Sequence, residues 1–290
     1  MKDLEGRICI VTGATSGIGE SSAAALARRG ADVALVCRSA ERGEATRKAI
    51  EAAAGRSCVE LFYADFERLA DVRRVADELD RKLPHVDVLL NNAGVTMLSR
   101  SETPDGYETT FAVNHLAPFL LTNLLMPKLL TRPGARIVNV ASHAHRFAWF
   151  DLDDLHSRRR YSSLRVYGGS KLANILFTNE LASRIGNRDL RVWSLHPGAV
   201  ATRLGANNGA LAKLVLPLLA LFFKTPDQGA ETSIHLCADK GIRATNGTYF
   251  ADCKPVALSG RAADAELARR LWRESEKLVG LDGGTEAIWR

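Results

Sequence analysis

The sequence predicts a single α/β domain in which helices cover both faces of a doubly wound parallel sheet of about seven strands. Three observations predict it. Short β-branched runs alternate with longer helical patterns, a glycine-rich turn follows the first run, and the alternation continues past residue 150 without a linker. A chain of 290 residues with 46% hydrophobic content can bury one large core. Residues 1–290 are therefore predicted to form one domain.

Strand-like runs are short, apolar and rich in β-branched residues. They lie at Arg7–Thr12, Asp32–Cys37, Cys58–Tyr63, Val86–Leu90, Arg136–Ala141 and Leu190–His196, with a weaker run at Gly247–Phe250. Between and after them the periodicity predicts helices at Gly17–Arg29, Ala40–Ala54, Arg68–Lys82, Tyr107–Leu130, Leu164–Ile185, Asp227–Ala238 and Ala262–Val279.

The composition excludes several classes of protein. A formal charge of +6 could attract a polyanion, but basic residues are spread along the chain and no recognised binding module accompanies them, so we expect no nucleic-acid partner. The five cysteines include no C-x-x-C pair and are expected to be free thiols. The histidines do not have metal-motif spacing, so no metal site is predicted. No signal-peptide pattern precedes the first strand, and we expect a cytoplasmic protein, as a monomer or a homodimer.

The first predicted strand runs into a glycine-rich turn that opens a helix. Such a Rossmann-type turn lets backbone approach a pyrophosphate, while the helix N-terminus offers unpaired N–H groups and a positive dipole end. With strand, turn, helix and next strand all in place, the pattern predicts a dinucleotide site rather than a plain structural turn. Its residues are Gly13, Thr15, Ser16, Gly17, Ile18 and Gly19.

A series of motifs in family-like order carries a resemblance. They are Thr12-Gly13-x-x-x-Gly17-x-Gly19, Asn91-Asn92-Ala93-Gly94, Ser142, Tyr167-x-x-x-Lys171 and Pro197-Gly198. The chain resembles the short-chain dehydrogenase/reductase family over nearly its whole length. Segments such as Val113–Leu116, Ser170–Phe177 and Tyr249–Cys253 look like the retinol dehydrogenase branch. The resemblance implies hydride transfer between NADP(H) and a small lipophilic alcohol or carbonyl compound, such as a retinal-like aldehyde.

The end of the second predicted strand bears on the cofactor. An NAD enzyme of this fold usually has an acidic residue here for the ribose 2′-hydroxyl, whereas a basic residue suits a 2′-phosphate. Cys37 stands where the acid would be, Arg38 could bind the phosphate bidentately and Ser39 could add a hydroxyl contact. We therefore predict NADP(H); the alternative is that Arg38 is only a solvated residue after a strand.

The resemblance implies further cofactor contacts along the chain. Residues at the ends of the third, fourth and sixth strands would contact the adenine, the ribose and the nicotinamide. They are Asp65, Phe66, Asn91, Ala93, Gly94, Pro197, Gly198, Val200 and Thr202, together with Tyr167 and Lys171.

Tyr167 and Lys171 are four residues apart in a helical pattern, which places an ammonium near a phenol. A nearby positive charge stabilises phenolate, so we expect Tyr167 to serve as the general acid and base. Ser142 follows the fifth strand and can bind the substrate oxygen. By resemblance, Asn114 holds a water that links Lys171 to solvent. The four residues Asn114, Ser142, Tyr167 and Lys171 form the predicted catalytic set.

An apolar run, residues 214–223, lies within the segment 203–225 that follows the predicted nicotinamide contacts. It is too short to span a bilayer. It could be a lid over a greasy substrate, a peripheral membrane contact or a core helix, and the lid is favoured because the site needs to exclude water. A non-catalytic NADP-sensing regulator and a protochlorophyllide reductase-like enzyme stay open as alternative functions.

Overall fold

The computed structural model describes residues 2–199, 224–281 and 284–289. The strands form one sheet with the order β3-β2-β1-β4-β5-β6-β7-β8. Their bounds are β1 Ile8–Thr12, β2 Asp32–Cys37, β3 Val59–Tyr63, β4 Val88–Asn91, β5 Ala135–Val140, β6 Leu190–His196, β7 Tyr249–Ala251 and β8 Lys254–Val256. The order reverses between β1 and β4, and at such a switch point the carboxyl ends of parallel strands open a crevice. The predicted doubly wound α/β fold is confirmed.

The sheet has eight strands, where about seven were expected from the alternation of elements. Neighbouring strands are parallel except for β7 and β8, which form an antiparallel hairpin at the sheet edge. The hairpin turns through Asp252 and Cys253, both at positive φ (47° and 60°). The sequence did not indicate β8 because this turn lacks the usual Asn-Gly or Asp-Gly pair, and because Pro255 is tolerated only at an edge.

The longer helices agree with the predicted periodicity to within a few residues, except that the one predicted at Tyr107–Leu130 becomes a continuous α-helix only at Ala117. They span Gly17–Arg28, Ala40–Ala54, Leu69–Lys82, Ala117–Leu130, Ser163–Ile185, Pro226–Ala238 and Ala265–Leu278. A 3-10 turn, Gly260–Ala263, precedes the last of these, and a short helix, Thr285–Ile288, follows it.

The predicted helix Tyr107–Leu130 is interrupted by a π-helical segment. It begins with the turn Thr109–Phe111, whose first N–H groups are capped by the buried carboxylate of Glu108, continues as the π segment Ala112–Leu116, and becomes α-helical at Ala117. Hydrophobic periodicity cannot reveal one extra residue per turn, and π segments often occur at functional sites. Asn114 lies in this segment.

Buried side chains fill both faces of the sheet. One cluster includes Phe62, Phe119 and Trp272, and the opposite cluster includes Trp193 and Phe250. All five side chains are almost fully buried. Close packing of this kind fixes the ends of the strands, from which the loops of the site begin.

Candidate active site

A cleft of about 410 Å³ lies at the carboxyl ends of the strands, at the switch point of the sheet. Most of the predicted site residues line it. These are Gly13, Thr15, Ser16, Gly17, Ile18, Gly19, Arg38, Asp65, Phe66, Ala93, Gly94, Ser142, Tyr167, Lys171, Pro197 and Gly198. Residues that are 185 positions apart in sequence, Gly13 and Gly198, thus share one crevice.

The glycine-rich turn leaves the start of the helix Gly17–Arg28 open to the cleft. Ser16 is the N-cap residue in an extended conformation, and its side chain makes no capping hydrogen bond with the described residues. The first N–H groups of the helix are thus available to an anion. A Cβ at Gly19 would lie 2.5 Å from the Gly13 carbonyl oxygen, and one at Gly13 would lie 2.7 Å from Ala93 Cα. The glycines therefore let the turn pack tightly against the β4 loop, which shapes the backbone cradle that a pyrophosphate site requires.

Arg38 lies at the far end of the cleft. Its side chain is 49% exposed and its Nη1 is 3.3 Å from Glu67 Oε1. Arg42 also lines this end, one turn into the next helix. Ser39 does not line the cleft: it is the N-cap of the helix Ala40–Ala54, and its Oγ accepts from Arg42 N at 3.3 Å. The Ser39 hydroxyl was predicted to contact the cofactor because its capping role could not be separated from ligand binding in the sequence.

The two asparagines after β4 have framework contacts. Asn91 is buried, and its Nδ2 donates to Thr122 Oγ1 at 2.9 Å and Asn139 Oδ1 at 2.8 Å, so the structure places this side chain inside the protein rather than in the cleft. Asn92 does line the cleft, and its Nδ2 donates to the Thr12 carbonyl at 2.9 Å. Asn92 joins the β1 and β4 loops, which the sequence did not indicate.

Tyr167, Ser142 and Lys171 meet at the opposite end from Arg38. All three residues line the cleft, and Lys171 Nζ is 5.6 Å from the Tyr167 ring centroid. Lys171 is buried and donates from Nζ to the Val140 carbonyl at 3.1 Å. Both hydroxyls and the ammonium thus face one point of the cleft wall.

Burial controls the protonation of this group. It raises the pKa of Tyr167 to about 12, although the nearby Ser142 hydroxyl acts to lower it. It also lowers the pKa of Lys171 to about 8. The upward shift of the Tyr167 pKa differs from the expectation from the sequence, in which Lys171 stabilises the phenolate and lowers that pKa. Desolvation of the phenol outweighs the ammonium, which is anchored to the Val140 carbonyl. Tyr167 is therefore a protonated phenol at neutral pH.

Asn114 lies behind the cleft surface and is fully buried. Its Oδ1 accepts from Val95 N at 2.7 Å, while its Nδ2 donates to the Val95 carbonyl and to Ser170 Oγ, both at 2.9 Å. A Cβ at Gly94 would lie 3.2 Å from Asn114 Oδ1 and 3.3 Å from Lys171 Nζ, so these groups are neighbours. Both amide hydrogens and one lone pair of Asn114 thus hold the β4 loop against the helix of Lys171.

Two predicted nicotinamide contacts, Val200 and Thr202, lie outside the described residues, as does the apolar run 214–223. The three residues that precede Val200 in sequence, Pro197, Gly198 and Ala199, form a wall of the cleft. Sequence reasoning also missed several lining residues: Val36, Cys37, Arg42, Ala64, Glu67, Asn92, Val95, Val113, Val140, Ala141 and Ala199. Of these, Arg42 carried a signal, because a basic residue in the first turn of a helix opposes the helix dipole and indicates a nearby anion.

Comparison with known proteins identifies the family of this chain. Residues 7–211 match the family model described as short chain dehydrogenase. The chain is 40% identical to mouse (Mus musculus) Retinol dehydrogenase 12 over 96% of this chain and 88% of that protein. The chain belongs to the short-chain dehydrogenase family of oxidoreductases and is retinol dehydrogenase-like.

Solved structures show the same architecture. A protein from Mycobacterium paratuberculosis superposes with a TM-score of 0.78 and 34% identity, covering 96% of this chain and 95% of that one. A short chain dehydrogenase from Burkholderia cenocepacia J2315, solved in complex with NADP, superposes with a TM-score of 0.68 and 30% identity, covering 85% and 96%. In the part of our chain that the structure describes, no helix has the length and apolarity needed to cross a membrane.

Proposed function

We propose that the protein transfers a hydride between NADP(H) and the alcohol or carbonyl carbon of a lipophilic substrate, with Tyr167 as the general acid and base. The observation that carries the proposal is the meeting of Tyr167, Ser142 and Lys171 in the same cleft as an uncapped helix N-terminus. One end of the cleft is thus suited to phosphate and the other to proton transfer.

The residues fit NADP(H) along the length of the cleft. The open N–H groups that follow Ser16 would hold the pyrophosphate, and Arg38 with Arg42 would hold the 2′-phosphate. The Asp65 carboxylate accepts from Glu67 N at 3.1 Å and shapes the loop on the adenine side. When bound, the cofactor supplies or accepts the hydride. The solved relative that holds NADP supports the same choice here.

The chain's own groups complete the reaction by handling the proton. Ser142 and the Tyr167 phenol would both hydrogen-bond the substrate oxygen, which fixes the carbonyl and polarises it. Because burial keeps Tyr167 protonated, it is ready to donate to the oxygen as negative charge develops. Lys171 stabilises the phenolate that remains. In the oxidative direction the same groups act in reverse, with the phenolate accepting the proton of the alcohol.

Asn114 is proposed to support the proton relay rather than to touch the substrate. Both Nδ2 hydrogens are donated to Val95 and Ser170, so a water that links Lys171 to solvent would bind either the second lone pair of Oδ1 or a backbone group of the π segment. The amide then sets the position of that segment relative to Lys171.

The lipophilic character of the substrate is proposed from two sources. The relatives in the comparison are named as retinol dehydrogenases, and retinol is an apolar alcohol. The run at 214–223 is almost wholly apolar. A panel of retinaldehydes, aliphatic aldehydes, steroids and quinones with NADPH tests the class, and we expect apolar aldehydes to give the highest kcat/KM. A clear preference for small hydrophilic carbonyl compounds would contradict the proposal.

The role of Tyr167 is tested separately with Tyr167→Phe. This variant keeps the ring but loses the proton, so we expect turnover to fall by roughly 10² to 10⁴ while the Kd for NADPH changes little. Ser142→Ala removes the neighbouring hydroxyl but keeps the phenol proton, so we expect it to lower turnover less than Tyr167→Phe does. Turnover of Tyr167→Phe equal to that of the wild type would reject the assignment.

A further inference from the structure

The wall formed by Pro197, Gly198 and Ala199 begins where β6 ends. Strands β5 and β6 are parallel, with Val140 opposite Leu195, so this wall lies beside Ser142 at the proton-transfer end of the cleft. Pro197 has no N–H group, and Gly198 therefore provides the first backbone donor after the strand. That donor is bound by a side chain rather than by the sheet.

The acceptor is the imidazole of His196. Gly198 N donates to His196 Nδ1 at 2.9 Å, which closes a small ring from a side chain to the N–H two residues on. Asn and Asp side chains close the same ring in Asx turns. The ring orientation is set from the other side, because the His196 and Tyr249 rings stack at 6.1 Å with an interplanar angle of 26°. Gly198 itself is at φ +87°, a conformation that needs such support.

A second tie holds the other end of the wall. Lys224 N donates to the Ala199 carbonyl at 2.8 Å, and Lys224 Nζ is 2.6 Å from Asp252 Oδ1. A Cβ at Gly198 would lie only 2.9 Å from Lys224 Cδ. Lys224 thus restricts the wall on one side, while the hydrogen bond to His196 fixes where it starts.

The bond to Gly198 requires a lone pair on His196 Nδ1. Neutral imidazole with its proton on Nε2 provides one, whereas imidazolium has two donors and no acceptor. Burial lowers the pKa of His196, as do His143, Lys224 and His145, whereas Asp252 acts to raise it. These groups and Tyr249 are the titratable neighbours that face the ring. The imidazole is therefore neutral near pH 7 and becomes charged in acid.

We propose that His196 is a positioning residue which, only in its neutral form, holds the Pro197–Ala199 wall in the shape that binds NADP(H). The inference rests on the proposed function, since it concerns the same cofactor. Protonation of His196 turns an acceptor that faces Gly198 N–H into a donor. The wall then loses its anchor and cofactor affinity falls in acid, while the hydroxyls of Tyr167 and Ser142 are untouched.

Two variants separate this role from a general effect on folding. His196→Asn keeps an acceptor for the Asx-type ring but does not titrate, whereas His196→Leu removes the acceptor. The Kd for NADPH is measured by titration calorimetry from pH 8 to pH 5.5, with KM and kcat measured alongside. The 2′-phosphate of the cofactor also titrates in this range, so the quantity of interest is the ratio of the wild-type Kd to the His196→Asn Kd.

At pH 8 we expect the Kd of His196→Asn for NADPH to be within about 2-fold of the wild-type Kd. The Kd of His196→Leu should be roughly 2-fold to 10-fold higher, as for the loss of one hydrogen bond. Between pH 8 and pH 5.5 the ratio of the wild-type Kd to the His196→Asn Kd should rise by a similar factor, while the ratio of their kcat values at saturating cofactor changes little. A ratio that is constant with pH would overturn the inference, as would wild-type affinity in His196→Leu. Failure of the wild type to bind NADPH would instead reject the proposed function.

Discussion

Replacement of Arg38 by aspartate tests the assignment of the 2′-phosphate end of the cleft. The Arg38 guanidinium is 49% exposed and lies 3.3 Å from Glu67, so it is partly neutralised and partly hydrated before any ligand binds. For a charge-assisted hydrogen bond we take the lower part of the usual range, about 1.5–2 kcal/mol, because of this exposure. A carboxylate placed near the phosphate adds about 1 kcal/mol of repulsion at a water-like dielectric constant.

Together these effects predict that Arg38→Asp weakens NADPH binding by roughly 100-fold, since about 1.4 kcal/mol corresponds to a factor of ten. NADH lacks the 2′-phosphate, and its Kd should change by no more than about 3-fold, within the uncertainty of a surface charge effect. The assay is a fluorescence titration of both cofactors at low and at physiological salt, because screening should reduce the difference.

Glu67→Gln is the matched control for this prediction. It removes the carboxylate that competes for Arg38 and keeps the shape of the side chain, so NADPH should bind about 2-fold to 5-fold more tightly than to the wild type. An unchanged ratio of NADPH to NADH affinity in Arg38→Asp would remove Arg38 from the site and leave Arg42 as the cation to test next.

Three further predictions concern the framework and the proton. Gly19→Ala places a Cβ 2.5 Å from the Gly13 carbonyl oxygen. We expect the free energy of unfolding in urea to fall by roughly 1–3 kcal/mol and NADPH binding to be lost. Normal NADPH binding would contradict the assignment of this turn to the pyrophosphate. Asp87→Asn leaves two arginines without their buried carboxylate, and should lower the free energy of unfolding by about 2 kcal/mol at pH 7, discounted for the exposure of both arginines. Because the pKa of Asp87 is lowered in the fold, its contribution is present above pH 3.8 and lost as the pH falls further, so the deficit should shrink there. Burial lowers the pKa of Lys171 to about 8, so the kcat for reduction should decline as the pH rises through about 8. The weak activity of Lys171→Met should not show this decline in its pH profile.

The sequence predicted the elements of the fold wherever a local pattern of residues determines the secondary structure. The parallel strands were recognised because they are buried on both faces and read as apolar runs, and Leu190–His196 and Asp32–Cys37 were placed to the residue. The edge strand β8 was missed because its turn at Asp252 and Cys253 depends on tertiary support rather than on residues that favour positive φ. The π segment was missed because one added residue does not alter the pattern of apolar side chains.

The candidate site likewise has features that the sequence predicted and features that only the structure showed. Glycine spacing and the order of motifs brought together residues that are far apart in sequence, because each follows a strand at the same edge of the sheet. The sequence could not distinguish ligand contacts from structural roles at Ser39 and Asn91. A hydroxyl or amide after a strand can bind a ligand, cap a helix as Ser39 does, or join a buried hydrogen-bond network as Asn91 does. The direction of the Tyr167 pKa shift also required the structure, because it depends on how fully the phenol is desolvated.

Isotope transfer is the measurement that tests the central proposal most directly. The purified protein is given NADPH carrying deuterium on the transferable position of the nicotinamide, with an apolar aldehyde, and the alcohol product is analysed by mass spectrometry. We expect one deuterium on the former carbonyl carbon, formed rapidly by the wild type and roughly 10² to 10⁴ times more slowly by Tyr167→Phe. An alcohol without deuterium, or the same rate from both proteins, would contradict the proposal.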